Sequence, residues 1–182
     1  IIEQIRNTKF KLNYKSFFQV NTKQAEKMYE FVKQYISEDS NVIDAYCGVG
    51  SIGIYLADKA AKVIGIENNV KAVQNAKENA KLNKIENCEF VAGYVETELQ
   101  KVLKANKIDT IIFDPPRKGL EQRIIDSIPT DIKKIIYISC DPMTQVRDVK
   151  LFMEKDFVPK EMQPVDMFPH TYHIENIIIL ER

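Results

Sequence analysis

No apolar run in this chain approaches the length of a membrane-spanning helix, which excludes a transmembrane segment as its organising feature. Net charge is missing as well. The 26 basic and 26 acidic residues cancel, so no overall field advertises nucleic-acid binding, although a local patch can suffice for it. Cysteine is scarce: Cys47, Cys88 and Cys140 are odd in number and never spaced as CxxC. That pattern offers neither a disulfide framework nor a zinc site and points to reduced thiols in the cytoplasm. The two histidines, His170 and His173, stand three apart with no further ligands nearby, so no metal site is expected. Internal repeats and low-complexity stretches are also lacking. The opening Ile1-Ile2-Glu3-Gln4 has neither an initiator Met nor a signal-peptide pattern, and it reads as the start of an excised domain.

What is present suits one globular domain. Hydrophobic residues make up 45% of 182 positions and charged residues 29%, enough for a full core under a soluble surface. Residues 1–20 mix charge with Phe10, Leu12, Tyr14, Phe17 and Phe18 and read as an irregular or β lead-in. From there Ala25, Met28, Tyr29, Val32, Tyr35 and Ile36 have helical spacing, with Asn21 or Thr22 as the N-cap. Strands and helices then alternate. Strands are predicted over 41–45, 62–67, 88–92, 110–114 and 134–139. Helices are predicted over 52–60, 70–83, 96–105, 120–127 and 144–154, and two extended segments close the chain at 157–167 and 173–181. Repeated βαβ units imply an α/β fold: a mostly parallel sheet, helices on both faces, and an antiparallel C-terminal edge.

Chemistry-bearing residues gather at the predicted strand ends. Gly48-Val49-Gly50-Ser51-Ile52-Gly53 is a GxGxxG between a strand and a helix, and Glu67 closes the next strand where an acid can meet a ribose diol. This fits NAD and S-adenosylmethionine alike. Asp44, just before the loop, would repel a pyrophosphate and attract a sulfonium, which favours S-adenosylmethionine. Cys140 ends the run Ile135-Ile136-Tyr137-Ile138-Ser139, and Asp114 ends Thr110-Ile111-Ile112-Phe113 before Pro115-Pro116-Arg117. A thiol and a carboxylate at neighbouring strand ends lie where open α/β sheets build reaction centres. The amides opening the next helix, with Arg147 folding back, are expected to lower the Cys140 pKa. Lys9, Lys11, Lys15 and Lys23, interleaved with Tyr14, Phe17 and Phe18, form either a basic aromatic strip for RNA or a solvated connector. Cys47 and Cys88 read as structural.

Five segments in order resemble the RNA uracil-C5 methyltransferases. They are Ser16-Phe17-Phe18-Gln19-Val20-Asn21; Asp44-Ala45-Tyr46-Cys47-Gly48-Val49-Gly50; Asp114-Pro115-Pro116-Arg117-Lys118-Gly119; Tyr137-Ile138-Ser139-Cys140-Asp141-Pro142 with Thr144, Arg147 and Asp148; and Asp166 through Glu175. The resemblance implies a Rossmann-like class I S-adenosylmethionine-dependent fold over 21–182, with 1–20 as the tail of a missing N-terminal region that binds RNA. It implies Cys140 as nucleophile, Glu175 as base and Asp114 beside them. Gln19, Tyr46, Gly48, Ser51, Glu67 and Asp114 would hold S-adenosylmethionine, and Arg117, Arg147 and His173 the RNA. The product would be 5-methyluridine in ribosomal or transfer RNA, made by a monomer. Many relatives carry Asp or Asn at the position of Tyr94. Three rivals remain open on the residues themselves: an N-methyltransferase of nucleic-acid bases, an NAD-dependent oxidoreductase, and a non-catalytic RNA-binding module.

Overall fold

The computed structural model describes residues 1–13 and 17–182, so Tyr14 and Lys15 of the basic strip, and Ser16, lie outside the described residues. The chain begins with a two-stranded antiparallel hairpin, β1 (Ile2–Ile5) and β2 (Thr8–Lys11), turned at Arg6, a non-glycine with φ of 51°. The sequence left this stretch undecided between irregular and β. Its Ile5 and Phe10 side chains are buried in the same cluster as Met28, Tyr29 and Val32 of helix α1 (Thr22–Lys33). Asn21 caps α1, its side chain accepting from the Gln24 amide at 3.2 Å.

The alternating units then follow: β3 (Asn41–Ala45), α2 (Ser51–Leu56), β4 (Lys62–Glu67), α3 (Val70–Leu82), β5 (Cys88–Ala92), α4 (Val95–Ala105), β6 (Thr110–Phe113), α5 (Gln122–Asp126), β7 (Lys134–Ser139), α6 (Pro142–Met153), β8 (Val158–Val165) and β9 (Glu175–Glu181). The main sheet has seven strands in the order β5-β4-β3-β6-β7-β9-β8. Five run parallel, and β9 enters antiparallel between β7 and β8. The last two segments therefore do pair, with the later one inside. Their composition explains the order. Ile177, Ile178, Ile179 and Leu180 of β9 are all buried, whereas β8 is largely exposed, contains Pro159 and Pro164, and carries a register shift at Pro159/Glu161. Proline belongs at an edge, where a missing N–H costs no ladder bond.

One core cluster lies under α1, α2, α3 and the hairpin on one sheet face; the other lies under α4, α5 and α6. Three helix boundaries differ from the sequence reading by two residues or more. Helix α2 stops at Leu56, short of the expected 60, because the Asn87 amide donates to the Ala57 and Ala60 carbonyls and ends it (2.7 and 2.9 Å). Helix α5 is a short Gln122–Asp126 rather than 120–127. Helix α6 starts two residues early: Asp141 accepts from the Met143 and Thr144 amides (3.0 and 3.1 Å) and Pro142 takes the first turn, where no N–H is needed.

A ladder of asparagines on α3, spaced by four, binds the hairpin to this frame. Asn83 exchanges bonds with the Lys9 backbone in both directions, 2.8 and 2.7 Å. Asn75 donates to Lys11 O at 2.9 Å. Asn79, fully buried, accepts from the Lys11 amide at 2.7 Å and donates to Val49 O at 3.2 Å, so one side chain ties β2 to the glycine loop. Replacing Asn79 with Ala strands a backbone donor and a backbone acceptor. Urea unfolding of Asn79→Ala should show a loss of about 2–4 kcal/mol at unchanged slope. A loss below ~0.5 kcal/mol would mean the hairpin is not held this way.

Candidate active site

The crevice forms where chain order reverses. From β3 the chain moves outward through β4 and β5, then crosses back to lay β6 on the other side of β3, so the loops after β3 and β6 diverge. Open α/β sheets bind ligands at such a point, outside the carboxyl ends of the strands. A cleft of about 470 Å³ opens there. It is lined by Gln19, Tyr46, Gly48, Glu67, Asp114, Arg117, Cys140 and Glu175, all eight named from the sequence. Tyr94, singled out from the sequence as a departure from many relatives, also lines it. So do Phe17, Asn68, Glu96 and Lys118, which had not been assigned a place in the site. Asn68 follows Glu67 at the end of β4 and Glu96 follows β5, so the strand-end rule applied evenly would have found these two.

The donor-loop half is built on backbone. Tyr46 sits at φ 65°, a left-handed conformation costly for a bulky residue, and it turns the chain sharply out of β3. At φ 77°, Gly50 comes so close to Phe90 that a Cβ would lie 2.8 Å from its ring. Glu67 accepts from the Gly48 amide at 3.1 Å and the Asn69 amide at 2.8 Å, one bond per oxygen, leaving lone pairs toward the cleft. Gln19 is 6% exposed, and its Oε1 has no partner among the described residues. Ser51 opens α2, bonds Tyr29 at 3.0 Å, and lines a small recess beside the main cleft instead of the cleft itself.

Asp44 departs from its expected place. It is fully buried, does not line the cleft, and accepts from the Gly53 amide at 2.9 Å, which holds the glycine loop from behind. Burial above all, then the Glu67 charge, pushes its carboxyl up to about 7 against the pull of the Gly53 amide.

In the other half, a register sets the geometry. Strand β9 pairs antiparallel with β7 so that Ser139 faces Asn176. Continued by one residue, that pairing puts Cys140 opposite Glu175. Gln145 of α6 fixes the junction, its side chain donating to Tyr137 O at 2.9 Å and Asn176 O at 3.0 Å and accepting from Asn176 Nδ2 at 2.6 Å. Cys140 is half-buried and Glu175 is buried. Burial, then Glu175, pushes the Cys140 thiol above its ordinary value, with Asp114 adding to the rise. The Arg117 guanidinium, which lines the same cleft, opposes this. The expected lowering is thus not found. Arg147 supplies none of it, because its guanidinium is turned onto Lys118 O (3.0 Å), Leu120 O (3.2 Å) and Asp148 (2.7 Å) and does not line the cleft. Burial raises Glu175 as well, with Arg117 opposing. Asp114 is held well above the carboxylate range by burial, then Glu175, then Asp44.

His173 stands just outside the cleft. Its ring lies 3.4 and 3.5 Å from the Arg117 guanidinium and 4.2 Å from the Tyr172 ring. The basic strip does not share one face: Phe18 turns inward against Phe10, Phe17 faces the cleft, and Lys11 pairs with Glu78 at 3.0 Å. Among the described residues no cluster of His, Cys, Asp or Glu is arranged to hold a metal ion, and no helix is long and apolar enough to cross a membrane.

The raised Asp44 carboxyl gives a pH signature. Its folded pKa lies above the unfolded value, so folding takes up a proton between the two. The stability this contributes is present at low pH and lost as pH rises through about 7. Parent stability minus that of Asp44→Asn should therefore fall between pH 5 and pH 8 in denaturant titrations. A difference independent of pH would show that Asp44 is ionised throughout.

Comparison with known proteins agrees with this architecture. The profile described as tRNA (uracil-5-)-methyltransferase matches residues 2–182. An uncharacterised RNA methyltransferase of Fusobacterium nucleatum is 49% identical over the whole chain, which covers 40% of that protein. One from Caldanaerobacter subterraneus is 43% identical, again over the whole chain and 41% of its own length. The chain thus spans about two fifths of the curated relatives it matches. The crystal structure of Pyrococcus abyssi tRNA (uracil-54, C5)-methyltransferase with S-adenosyl-L-homocysteine superposes with a TM-score of 0.87 at 33% identity, over 99% of this chain and 44% of that one. The M. jannaschii tRNA m1G37 methyltransferase, 20% identical with a TM-score of 0.74 over 99% of this chain and 56% of its own, shares the fold. Matched along nearly its whole length, the chain belongs to the tRNA (uracil-5-)-methyltransferase family.

Proposed function

We propose that this chain is the catalytic part of an S-adenosylmethionine-dependent RNA methyltransferase that forms 5-methyluridine. The observation that carries the reading is that Cys140 and Glu175, each one residue beyond the last β7–β9 pair, line one cleft with Arg117 and Asp114. The 33% identical Pyrococcus abyssi protein, named for uracil-54 of tRNA, supports a uridine in transfer RNA, with ribosomal RNA the other candidate. Residues 21–182 would form the catalytic domain, and 1–20 would lead in from a further region that grips the RNA. Its unpaired thiols suit the cytoplasm.

The cleft fits the methyl donor. Its volume suits a ligand of that size, Glu67 has free lone pairs for a ribose diol, and the buried, unpartnered Gln19 Oε1 awaits a donor. Tyr46, Gly48 and Asp114 would complete the site, with Ser51 at its adjoining recess. S-adenosylmethionine would supply an electrophilic methyl group.

Carbon-5 of uracil is a poor nucleophile. Attack by the Cys140 thiolate at carbon-6 forms a C–S bond and pushes the ring electrons toward carbon-5, which can then accept the methyl group. The proton still on carbon-5 passes to the Glu175 carboxylate, and the returning electrons expel the thiolate. Asp114 and Arg117 hold the uracil edge and an adjoining phosphate, with His173 behind Arg117. A uridine within a stem or loop must be turned out to enter.

Two variants separate these roles. Cys140→Ala should lose uridine methylation by at least about a thousandfold. Glu175→Gln should still form the methylated adduct but hold it, so that one equivalent of RNA becomes attached to protein without turnover. RNA containing 5-fluorouridine should leave a denaturation-resistant adduct on Cys140 of the parent, read by mass spectrometry. Retained methylation in Cys140→Ala would instead favour transfer to an exocyclic amine, and would sink the covalent reading.

A further inference from the structure

Helix α6 makes a second set of contacts that the proposed chemistry does not use. Thr144, Arg147 and Asp148 are spaced i, i+3, i+4 and share one face of the helix. That face grips four consecutive residues of the loop after β6. Thr144 Oγ1 donates to Arg117 O at 3.1 Å, and Arg147 donates to Lys118 O and Leu120 O. The Leu120 amide donates to Asp148 Oδ2 at 2.8 Å. Between them Gly119, at φ 73°, approaches so closely that a Cβ would lie 2.5 Å from Asp148 Oδ2 and 2.7 Å from Arg147 Nη2. Asp148 is fully buried and is satisfied by Tyr137 Oη (2.6 Å), the Leu120 amide and Arg147. A buried carboxylate with a charged donor on one oxygen and neutral donors on the other is a rigid joint.

The joint connects two things the site needs at a fixed separation. Helix α6 begins two residues after Cys140, and the gripped loop begins with Arg117, whose long side chain could otherwise swing into solvent. We propose that Thr144, Arg147 and Asp148 are positioning residues whose clamp on the 117–120 backbone keeps the Arg117 guanidinium in the cleft beside Cys140. The idea rests on Cys140 being the working thiol, but its test does not require turnover or RNA. The charged groups facing Cys140 are Arg117, Glu175 and Asp114, and Arg117 alone of them favours the thiolate. Displacing Arg117 must therefore raise the thiol pKa.

The measurement is the pH dependence of Cys140 alkylation by iodoacetamide in the purified protein, followed on the Cys140 peptide by mass spectrometry so that Cys47 and Cys88 do not interfere. Arg117→Gln should slow alkylation at pH 8 by roughly three- to tenfold through a raised pKa. Arg147→Lys keeps the charge but loses the planar fork, and it should move the profile the same way by about two- to fivefold. Arg117→Gln combined with Arg147→Lys should be no slower than Arg117→Gln alone. Thr144→Val should shift the profile and Thr144→Ser restore it, which guards against an Arg147 variant that folds poorly. The clamp is overturned if Arg147→Lys and Thr144→Val lower the melting temperature yet leave the alkylation profile unmoved, or if the two arginine effects add. A shifted profile without any 5-fluorouridine adduct would uphold the clamp while removing the proposed reaction.

Discussion

The antiparallel entry of β9 beside β7 is the constraint on which the candidate site depends. In a purely parallel sheet every strand presents its carboxyl end to the crevice, and amino ends lie on the far side of the molecule. Because β9 runs the other way, its first residue, Glu175, comes up beside the end of β7, one residue beyond the Ser139–Asn176 pair and at the level of Cys140. Residues 35 positions apart in sequence meet with no loop having to place them. Strand β9 can hold that interior position because it is the most apolar of the last two segments, and β8, with its prolines, takes the edge.

Helix α6 locks this arrangement with polar groups, not apolar ones. Gln145 binds both sides of the β7–β9 junction, and Asp148 with Arg147 binds the loop after β6. Both Gln145 and Asp148 are essentially inaccessible to water. Buried polar side chains add little net stability, but a half-satisfied one is costly. They therefore disfavour any shift in the register of β7, β9 or the loop. On the opposite flank Asn79 does the same between β2 and Val49 of the glycine loop. Both walls of the cleft are held by side chains whose geometry tolerates no slippage.

The fold was legible where hydrophobic periodicity alone decides it. Strands β3, β4, β5, β6 and β7 and helix α3 lie within a residue of where apolar runs and spacing put them. Legibility failed where a polar side chain ends or starts an element. Asn87 shortens α2 from a distance of some thirty residues, which no local pattern announces. Asp141-Pro142 carried the signal for the start of α6, since an acid followed by Pro suits a cap and first turn, yet the sequence reading began the helix at 144. The hairpin was obscured because its turn uses Arg6 in a left-handed conformation where Gly or Asn is usual. Arg147 was misplaced for a physical reason. It was expected to fold back toward Cys140 or to meet the RNA, and the tertiary approach of the 117–120 loop turns it onto the Lys118 and Leu120 carbonyls instead. The polar asparagine face of α3 was hidden for the same reason.

The electrostatics of the cleft follow from this packing. Asp114 and Glu175 stand around Cys140, with Asp44 behind Asp114, and each of these carboxyls is pushed upward by burial before any neighbour acts. Arg117 is the cation that acts on Cys140 and Glu175 alike. A negative charge on either Glu175 or Asp114 makes a thiolate on Cys140 harder to form, so the three sites cannot all be ionised cheaply in one low-dielectric pocket. The resting cleft thus favours a neutral thiol. A ligand that brings positive charge, or that accepts a hydrogen bond from a protonated Asp114, would relieve the repulsion. On the proposed reaction, with Cys140 as nucleophile, such a site would hold the thiol in reserve until it is filled, and the placement of Arg117 would set the degree of reserve.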